Sequence, residues 1–158
     1  MHWYKRSIVF TIGIFIELVV ATISCLLIKE NHAWLSGLTL PYFAPRSFLL
    51  YGALMETIYF SSAAALALYT KSARELPKAL ALTSIEGLSQ IVTLLFFFKF
   101  TYEITAFFLA TVTMIIAQIN TMVFLGKSDA AAIAKLPALG ATLYLWVVIY
   151  CILMINFA

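Results

Sequence analysis

The sequence predicts an all-α, polytopic membrane protein, a bundle of five transmembrane helices whose long first connection acts as a lid. Of the 158 residues, 64% are hydrophobic and only 11% are charged, whereas a soluble domain has about 25% charged residues. The apolar residues also form five long blocks, and each is close to the roughly 20 residues of helix that cross a hydrocarbon core. A β-barrel would instead alternate apolar and polar residues over short segments.

The five blocks give the helix bounds that we expect, which are residues 8–27, 48–69, 79–98, 104–125 and 136–157. Few residues remain outside them, so we expect one transmembrane domain over residues 1–158 and no separate soluble domain. The first block carries Glu17 at its centre and is longer than the apolar core of a secretory signal. We therefore expect it to stay in the membrane as a helix.

The first connection, residues 28–47, has the composition of a lid. Its stretch from Trp34 to Pro45 is too apolar for an ordinary solvated loop. Gly37, Pro41 and Pro45 prevent one uninterrupted helix. We therefore expect this stretch to fold back onto the apolar bundle.

The basic residues are distributed unequally between the two ends of the helices. Seven lie on the N-terminal side, which are Lys5, Arg6, Lys71, Arg74, Lys78, Lys127 and Lys135. Three lie on the other side, which are Lys29, Arg46 and Lys99. Because basic residues concentrate on the cytoplasmic side, we expect a cytoplasmic N-terminus and an outward-facing lid. This bias also accounts for the net charge of +3 without a nucleic-acid partner, so the expected partner is the lipid bilayer.

Each predicted helix has one face of small or polar residues that is unsuited to lipid. In the first three helices these residues are Gly13, Glu17, Ala21 and Ser24; Gly52, Glu56, Tyr59 and Ala63; and Thr83, Glu86, Gln90 and Thr93. In the last two they are Thr111, Gln118 and Thr121; and Gly140, Tyr144, Val147 and Cys151. Small residues allow close helix packing and polar ones bond across it, so we expect all five faces to point into the bundle.

The acidic residues Glu17, Glu56 and Glu86 fall inside three of the blocks, and none of the five blocks contains Lys, Arg or His. Isolated carboxylates are expensive in hydrocarbon, so we expect these groups to be protonated or to face a wet cavity. The three carboxyls have two interpretations. They either form the polar floor of a ligand pocket or a proton path, or they are protonated groups that form hydrogen bonds between helices. Cys25 and Cys151 lack a metal-binding spacing, so we expect free buried thiols and no metal site.

Two sets of short motifs, in their order along the chain, resemble those of a known protein family. The first connection reads Trp34…Leu40-Pro41-x-Phe43-x-Pro45, and the last helix follows Ser128-x-x-Ala131-Ala132, contains Leu136-Pro137 and ends in Asn156. In this order, and with five helices, the chain resembles the TspO/MBR family of tryptophan-rich sensory and translocator proteins. The resemblance spans essentially the whole chain.

This resemblance implies a ligand pocket near one membrane face, closed by the first loop. Members of the family bind porphyrins and haem-related tetrapyrroles, sterols and benzodiazepine-type ligands, often as homodimers. We expect the membrane of this chain to be a bacterial inner membrane. It implies a bound ligand rather than a resident cofactor. Carried over by position, the ligand-binding residues are Trp34, Pro41, Phe43, Pro45, Leu54, Ile58, Gln90, Thr93, Ala141 and Leu145.

The chain also departs from the family pattern. Gln90-Ile91-Val92-Thr93-Leu94 stands where members often have Asn-Trp-x-Trp-Pro, Leu54 and Ala141 stand where they have tryptophan, and Ile149 replaces an asparagine. Indoles supply flat stacking surfaces and N–H donors for a tetrapyrrole. The identity of the ligand is therefore left open by the sequence.

Four functions are compatible with these residues. The first is a non-enzymatic binding or sensory protein for a hydrophobic, porphyrin-like or sterol-like ligand. The second is a transporter coupled to protonation of Glu17, Glu56 or Glu86. The third is an intramembrane isomerase or porphyrin-degrading enzyme that uses a carboxyl as acid or base, although the sequence offers no nucleophile and base pair and hence no catalytic residue. The fourth is a small subunit that only holds a partner.

Overall fold

The predicted five-helix architecture is confirmed. The computed structural model describes residues 3–72 and 74–157, and this part of the chain is helical without a strand. Its helices are α1 (Trp3–Asn31), α2 (Phe48–Tyr69), α3 (Leu76–Leu94), α4 (Glu103–Leu125) and α5 (Asp129–Phe157). All five are long and apolar enough to cross a membrane, with mean hydropathies of 1.3 to 2.4 in their most apolar windows.

The helices form a closed ring in the order α1, α2, α5, α4, α3. α1 packs against α2 and α3, while α5 packs against α2 and α4. The α1–α2 contact is close at Gly13, where an added Cβ would lie 3.0 Å from Leu66 Cδ2 and 3.6 Å from Ala63 Cα. The ring surrounds two apolar clusters, one towards the first connection and one at the opposite end, and buried polar residues lie between them.

The helix ends differ from the predicted bounds, most consequentially in α5. This helix begins at Asp129 instead of residue 136. Ser128 Oγ accepts a hydrogen bond from Ala131 N at 3.3 Å, and Asp129 in the first turn complements the positive end of the helix dipole. At the other side of the bundle, α3 ends at Leu94 and continues as one π-helical turn over Leu95–Lys99.

The first connection folds back onto the bundle, as predicted. It begins with a 3₁₀ turn over His32–Gly37 and continues to α2 as an irregular segment with one turn, in which Ala44 N donates to Pro41 O at 3.0 Å. The Trp34 ring packs edge-on against Phe97, with ring centroids 5.0 Å apart. Asn156 at the end of α5 accepts from Thr39 N at 2.8 Å and donates to Thr39 O at 2.9 Å. The Tyr144 hydroxyl donates to the Phe43 carbonyl, so two residues of α5 hold the connection in place.

At the opposite end of the bundle, Glu75 joins the α2–α3 and α4–α5 connections. Its Oε2 accepts hydrogen bonds from Lys71 N at 2.7 Å and Ser72 N at 3.1 Å, and its Oε1 pairs with the Lys127 ammonium. Lys127 Nζ also lies 4.6 Å from the centroid of the Tyr69 ring. The hydrogen bond from Lys127, followed by that from Lys71 N, lowers the pKa of Glu75 below its usual value.

Because the pKa of Glu75 is lower in the folded protein, the ionised carboxylate stabilises the fold. This stabilisation is fully present above pH 4.5, the ordinary pKa, and is lost as the pH falls through the lower pKa of the folded state. Glu75→Gln should therefore cause a small fall in Tm at neutral pH and no fall in strong acid. Thermal unfolding in detergent at both pH values tests this, with Glu30→Gln as a control at the other end of the bundle. An equal fall at both pH values would contradict the prediction.

Candidate functional site

A buried ion pair lies inside the bundle and corrects one prediction from the sequence. We expected no cation within the membrane blocks, but Lys135 lies inside α5 and its side chain is 1% exposed. Its Nζ donates to Glu86 Oε2 and to Ser62 Oγ, both at 2.7 Å. The prediction was wrong because α5 begins earlier than its apolar block, which puts Lys135 about 9 Å inside the helix at 1.5 Å per residue.

Ser61 of α2 forms hydrogen bonds with the turn of α5 next to Lys135, and these bonds help to place Lys135. Pro137 cannot accommodate regular helical hydrogen bonding around it, because its ring crowds the carbonyl four residues earlier. At the next residue, Ala138 N donates to Ser61 Oγ at 3.2 Å, and the Ser61 hydroxyl donates to Ala134 O. Ser61 thus satisfies both ends of an opened turn of α5. The neighbouring Ser62 is then in reach of Lys135.

Asn120 of α4 completes the cluster around Glu86. Its Nδ2 donates to Glu86 Oε2 at 2.8 Å and to Leu82 O at 3.0 Å. Glu86 Oε2 therefore accepts from both Asn120 and Lys135, whereas Glu86 Oε1 is buried without a hydrogen-bond partner in the described part of the chain. The cluster joins α2, α3, α4 and α5 through the Ser62 hydroxyl, the Glu86 carboxylate, the Asn120 amide and the Lys135 ammonium.

A small cavity lies beside this cluster and is lined mainly by polar side chains. Its volume is about 10 Å³, close to the minimum that one water molecule needs. The lining residues are Glu17, Ile58, Tyr59, Ser62, Thr83, Glu86, Gly87 and Gln90. Glu86 Oε1 and Thr83 Oγ1 have no hydrogen-bond partner among the described residues. The cavity is therefore at the lower size limit for one water molecule, and the two unpaired oxygens belong to residues that line it.

The three predicted acidic residues are only partly brought together. Glu17 and Glu86 are each 4% exposed and line the same inner cavity. Glu56 is exposed on the outer surface of α2, where it shares a separate groove with Glu17. The expectation that Glu56 points into the bundle was therefore wrong. Glu17 is the one of these three carboxyls that lines both spaces, together with Tyr59.

The predicted inward faces are correct for α1 and α3, where all the residues named from the sequence are buried. The α4 and α5 faces were wrong, because Gln118 and Gly140 are exposed. The buried residues of these two helices include Thr113, Ala117, Asn120, Lys135, Ala138, Leu145 and Ile152. The seven-residue spacing of Thr113 and Asn120 could have indicated the α4 face.

A second candidate region is a groove beneath the first connection, between α2 and α5. Its volume is about 390 Å³, and its lining is Phe43, Ala44, Pro45, Leu50, Ala53, Leu54, Thr57 and Tyr144. Three of the ten positions carried over from the family resemblance, Phe43, Pro45 and Leu54, therefore line one space. Tyr144 lines it too and was named from the sequence only as part of an inward face.

The other seven carried-over positions lie elsewhere. Ile58 and Gln90 line the inner cavity, and Trp34 packs on Phe97. The Thr93 hydroxyl donates to Ser89 O at 2.9 Å and lies 3.1 Å from the Thr113 hydroxyl. The remaining positions are buried in the protein, namely Pro41, Ala141 and Leu145. The ten positions do not form one continuous pocket.

The outer surface and the helix lengths define the class of protein. Large apolar side chains are exposed around the bundle, for example Phe15 at 68%, Leu88 at 64% and Met122 at 71%. Such a surface suits contact with lipid, so the chain is a multi-pass integral membrane protein.

No family model and no curated protein matches it. Residues 3–72 and 74–157 contain no group of three His, Cys, Asp or Glu that could hold a metal, and Cys25 and Cys151 are free.

Proposed function

We propose that this protein binds a hydrophobic small molecule in the groove beneath the first connection, as a binding or sensory protein of the TspO type. The observation that supports this is the meeting of Phe43, Pro45 and Leu54 in one groove. Phe43 and Pro45 come from the motif of the first connection, and Leu54 was carried over by position from the second helix. The groove volume of about 390 Å³ is within the range of about 300–1,000 Å³ for small-molecule sites.

The polarity of the groove supports a sterol-like ligand over a porphyrin. Its two side-chain hydroxyls already donate internally, Thr57 to Ala53 O at 2.9 Å and Tyr144 to Phe43 O. They remain able to accept one hydrogen bond from a ligand hydroxyl. Trp34 packs on Phe97, and Trp146 stacks on Tyr150 with centroids 6.2 Å apart. Neither indole lines the groove, and its two aromatic rings, Phe43 and Tyr144, pack edge-on against each other, so the groove lacks the indole surfaces and N–H donors that suit a flat tetrapyrrole.

We also propose that the N-terminus is cytoplasmic and that the membrane is a bacterial inner membrane. Lys135 no longer counts as a loop charge, because it is buried in the bundle. Six basic residues then remain on the N-terminal side, against three on the other side. The N-terminal side therefore still carries more basic residues, which predicts the same orientation in the membrane. The homodimer that the family resemblance implies stays a prediction.

Leu54→Trp is the sharpest test of the proposed groove. The larger ring should fill the space and weaken binding of dehydroergosterol, a fluorescent sterol, at least about tenfold, which corresponds to 1.4 kcal/mol. Binding would be followed by fluorescence titration of the purified protein in nanodiscs, with protoporphyrin IX as the competing ligand class. Met122→Trp adds the same ring on the lipid-facing side of α4 and should leave affinity unchanged. Undiminished sterol binding by the Leu54 variant would place the site elsewhere.

The second candidate function is proton-linked transport, which the interior cluster favours. Glu17, Glu86 and Lys135 come from three helices and meet in the bundle, and ionisable residues inside a membrane often mark proton or substrate pathways. Uptake of candidate substrates into proteoliposomes, driven by a pH gradient and abolished by Glu17→Gln, would support it. Uptake that does not depend on the gradient would count against it.

A further inference from the structure

A lipid-facing groove runs between α1 and α2 and contains two acidic side chains. Its outer part has a volume of about 520 Å³ and extends from Lys29 to Glu56. Its inner part has a volume of about 180 Å³ and reaches Glu17. The two parts are continuous, because Leu18, Ala21 and Glu56 line both of them. We call this space the α1/α2 groove.

Neither carboxyl of the α1/α2 groove is paired directly with a cation among the described residues, although Lys29 lines the outer end of the same groove. Glu17 is 4% exposed and Glu56 is exposed to the outside, yet neither accepts a hydrogen bond or forms an ion pair within the described residues. The one described cation buried in the bundle, Lys135, is bonded to Glu86. Among the described residues, the three intramembrane carboxyls therefore have one buried ammonium group between them, and it pairs with Glu86. Carboxylates in a low-dielectric region are costly unless a cation pairs with them.

The walls of the groove suit an apolar molecule that carries such a cation. Ile14, Leu18 and Phe60 surround the inner part, and the small residues Gly52 and Ala53 leave room in the outer part. The other polar groups nearby are engaged or distant. The Tyr59 hydroxyl is 3.0 Å from Ser24 Oγ. Lys29 is exposed at the end of α1, about 18 Å along the helix from Glu17, where its ammonium can reach the aqueous interface.

We propose that the α1/α2 groove is a binding site for a lipophilic organic cation, distinct from the groove beneath the first connection. The apolar body of the ligand lies along α1 and α2, and its positive charge lies between the carboxylates of Glu17 and Glu56. The ligand enters sideways from the bilayer, because the groove opens on the lipid-facing surface. A lipid acyl chain would fill the apolar walls but leave both carboxyls unpaired, so charge complementarity favours the cation.

The test uses tritiated tetraphenylphosphonium and the full chain in phosphatidylcholine nanodiscs, with equilibrium dialysis as the measurement. We expect saturable binding that dodecyltrimethylammonium displaces and that dodecanol, of equal chain length and no charge, does not. Glu56→Gln and Glu17→Gln should each weaken binding at least about tenfold, or 1.4 kcal/mol. Glu103→Gln, at the start of α4, is the matched control and should bind like the wild type.

Three results would overturn the proposal. Equal displacement by dodecanol would assign the groove to an uncharged apolar occupant such as a lipid chain. Unchanged affinity in Glu56→Gln would also refute it, and this variant is decisive because an exposed side chain can be changed with little risk to folding. A dimer that dissociates on Glu56→Gln without any cation binding would assign the groove to a second copy. Leu54→Trp should leave cation binding intact, so the two proposed sites can fail independently.

Discussion

Replacing Lys135 with methionine should lower the free energy of unfolding by about 3–5 kcal/mol, the usual effect of removing one partner from a buried ion pair. Methionine keeps most of the volume but cannot donate to Glu86 Oε2 or Ser62 Oγ. Glu86 is 4% exposed, so its carboxylate cannot regain hydration. One hydrogen bond from Asn120 remains, which is too little to offset a buried charge.

The physical origin of this loss can be isolated by adding Glu86→Gln to Lys135→Met. A glutamine is uncharged and its side-chain oxygen can still accept from Asn120, so the double variant should be more stable than Lys135→Met alone. Reversible denaturation in detergent, followed by circular dichroism, gives the four free energies of the cycle. Lys127→Met, in the partly exposed pair with Glu75, is the control and should have a much smaller effect, because exposed ion pairs contribute little to stability. Simple additivity of the two buried substitutions would show that the pair contributes no coupling energy.

The same variants separate a stabilising role of the cluster from a transport role. The ion pair lies towards the N-terminal side of the bundle, away from the groove beneath the first connection. If the cluster only stabilises the helices, the double variant should bind dehydroergosterol normally. If it carries protons, gradient-driven uptake should be lost in the double variant even though the protein folds.

Helix number and type could be predicted because the bilayer imposes them. A span needs about 20 apolar residues with all backbone groups bonded internally, and five blocks meet that condition. The helix ends could not be predicted as well. Hydropathy assigned residues 129–135 to a loop, but helix capping by Ser128 starts α5 there. A lysine near a membrane interface has the same hydropathy whether it faces water or a buried glutamate.

The sequence could not predict which residues of different helices contact one another inside the bundle. Lys135 and Ser62 are 73 positions apart, and Asn120 and Glu86 are 34 apart. Their meeting depends on the order of the helices in the ring and on their rotation about their axes. The α1 and α3 faces were correctly predicted because their polar residues contrast with strongly apolar neighbours. In α5, apolar residues such as Leu145 and Ile152 are buried, so a search for polar residues selected the wrong face.

The first connection should open when its bonds to α5 are removed by combining Tyr144→Phe with Asn156→Ala. These changes remove one hydrogen bond to Phe43 O and two to the backbone of Thr39. Each is worth about 0.5–1.5 kcal/mol net, so the closed arrangement should lose about 1.5–4.5 kcal/mol. The apolar contacts of Leu35 and Trp34 remain, which should keep the 3₁₀ turn attached while the stretch over residues 38–45 loosens.

Two measurements test this opening and its effect on the groove. Hydrogen exchange should speed up at the Thr39 and Ala44 amides, which now donate to Asn156 and Pro41 O. Dissociation of dehydroergosterol, followed by stopped flow, should become at least about tenfold faster, because 1.4 kcal/mol corresponds to that factor. Asn31→Ala removes a hydrogen bond within α1 only and should leave both rates unchanged. Faster exchange with unaltered sterol dissociation would mean that the connection covers the groove without controlling access to it, and lateral entry from the bilayer would then be the better description.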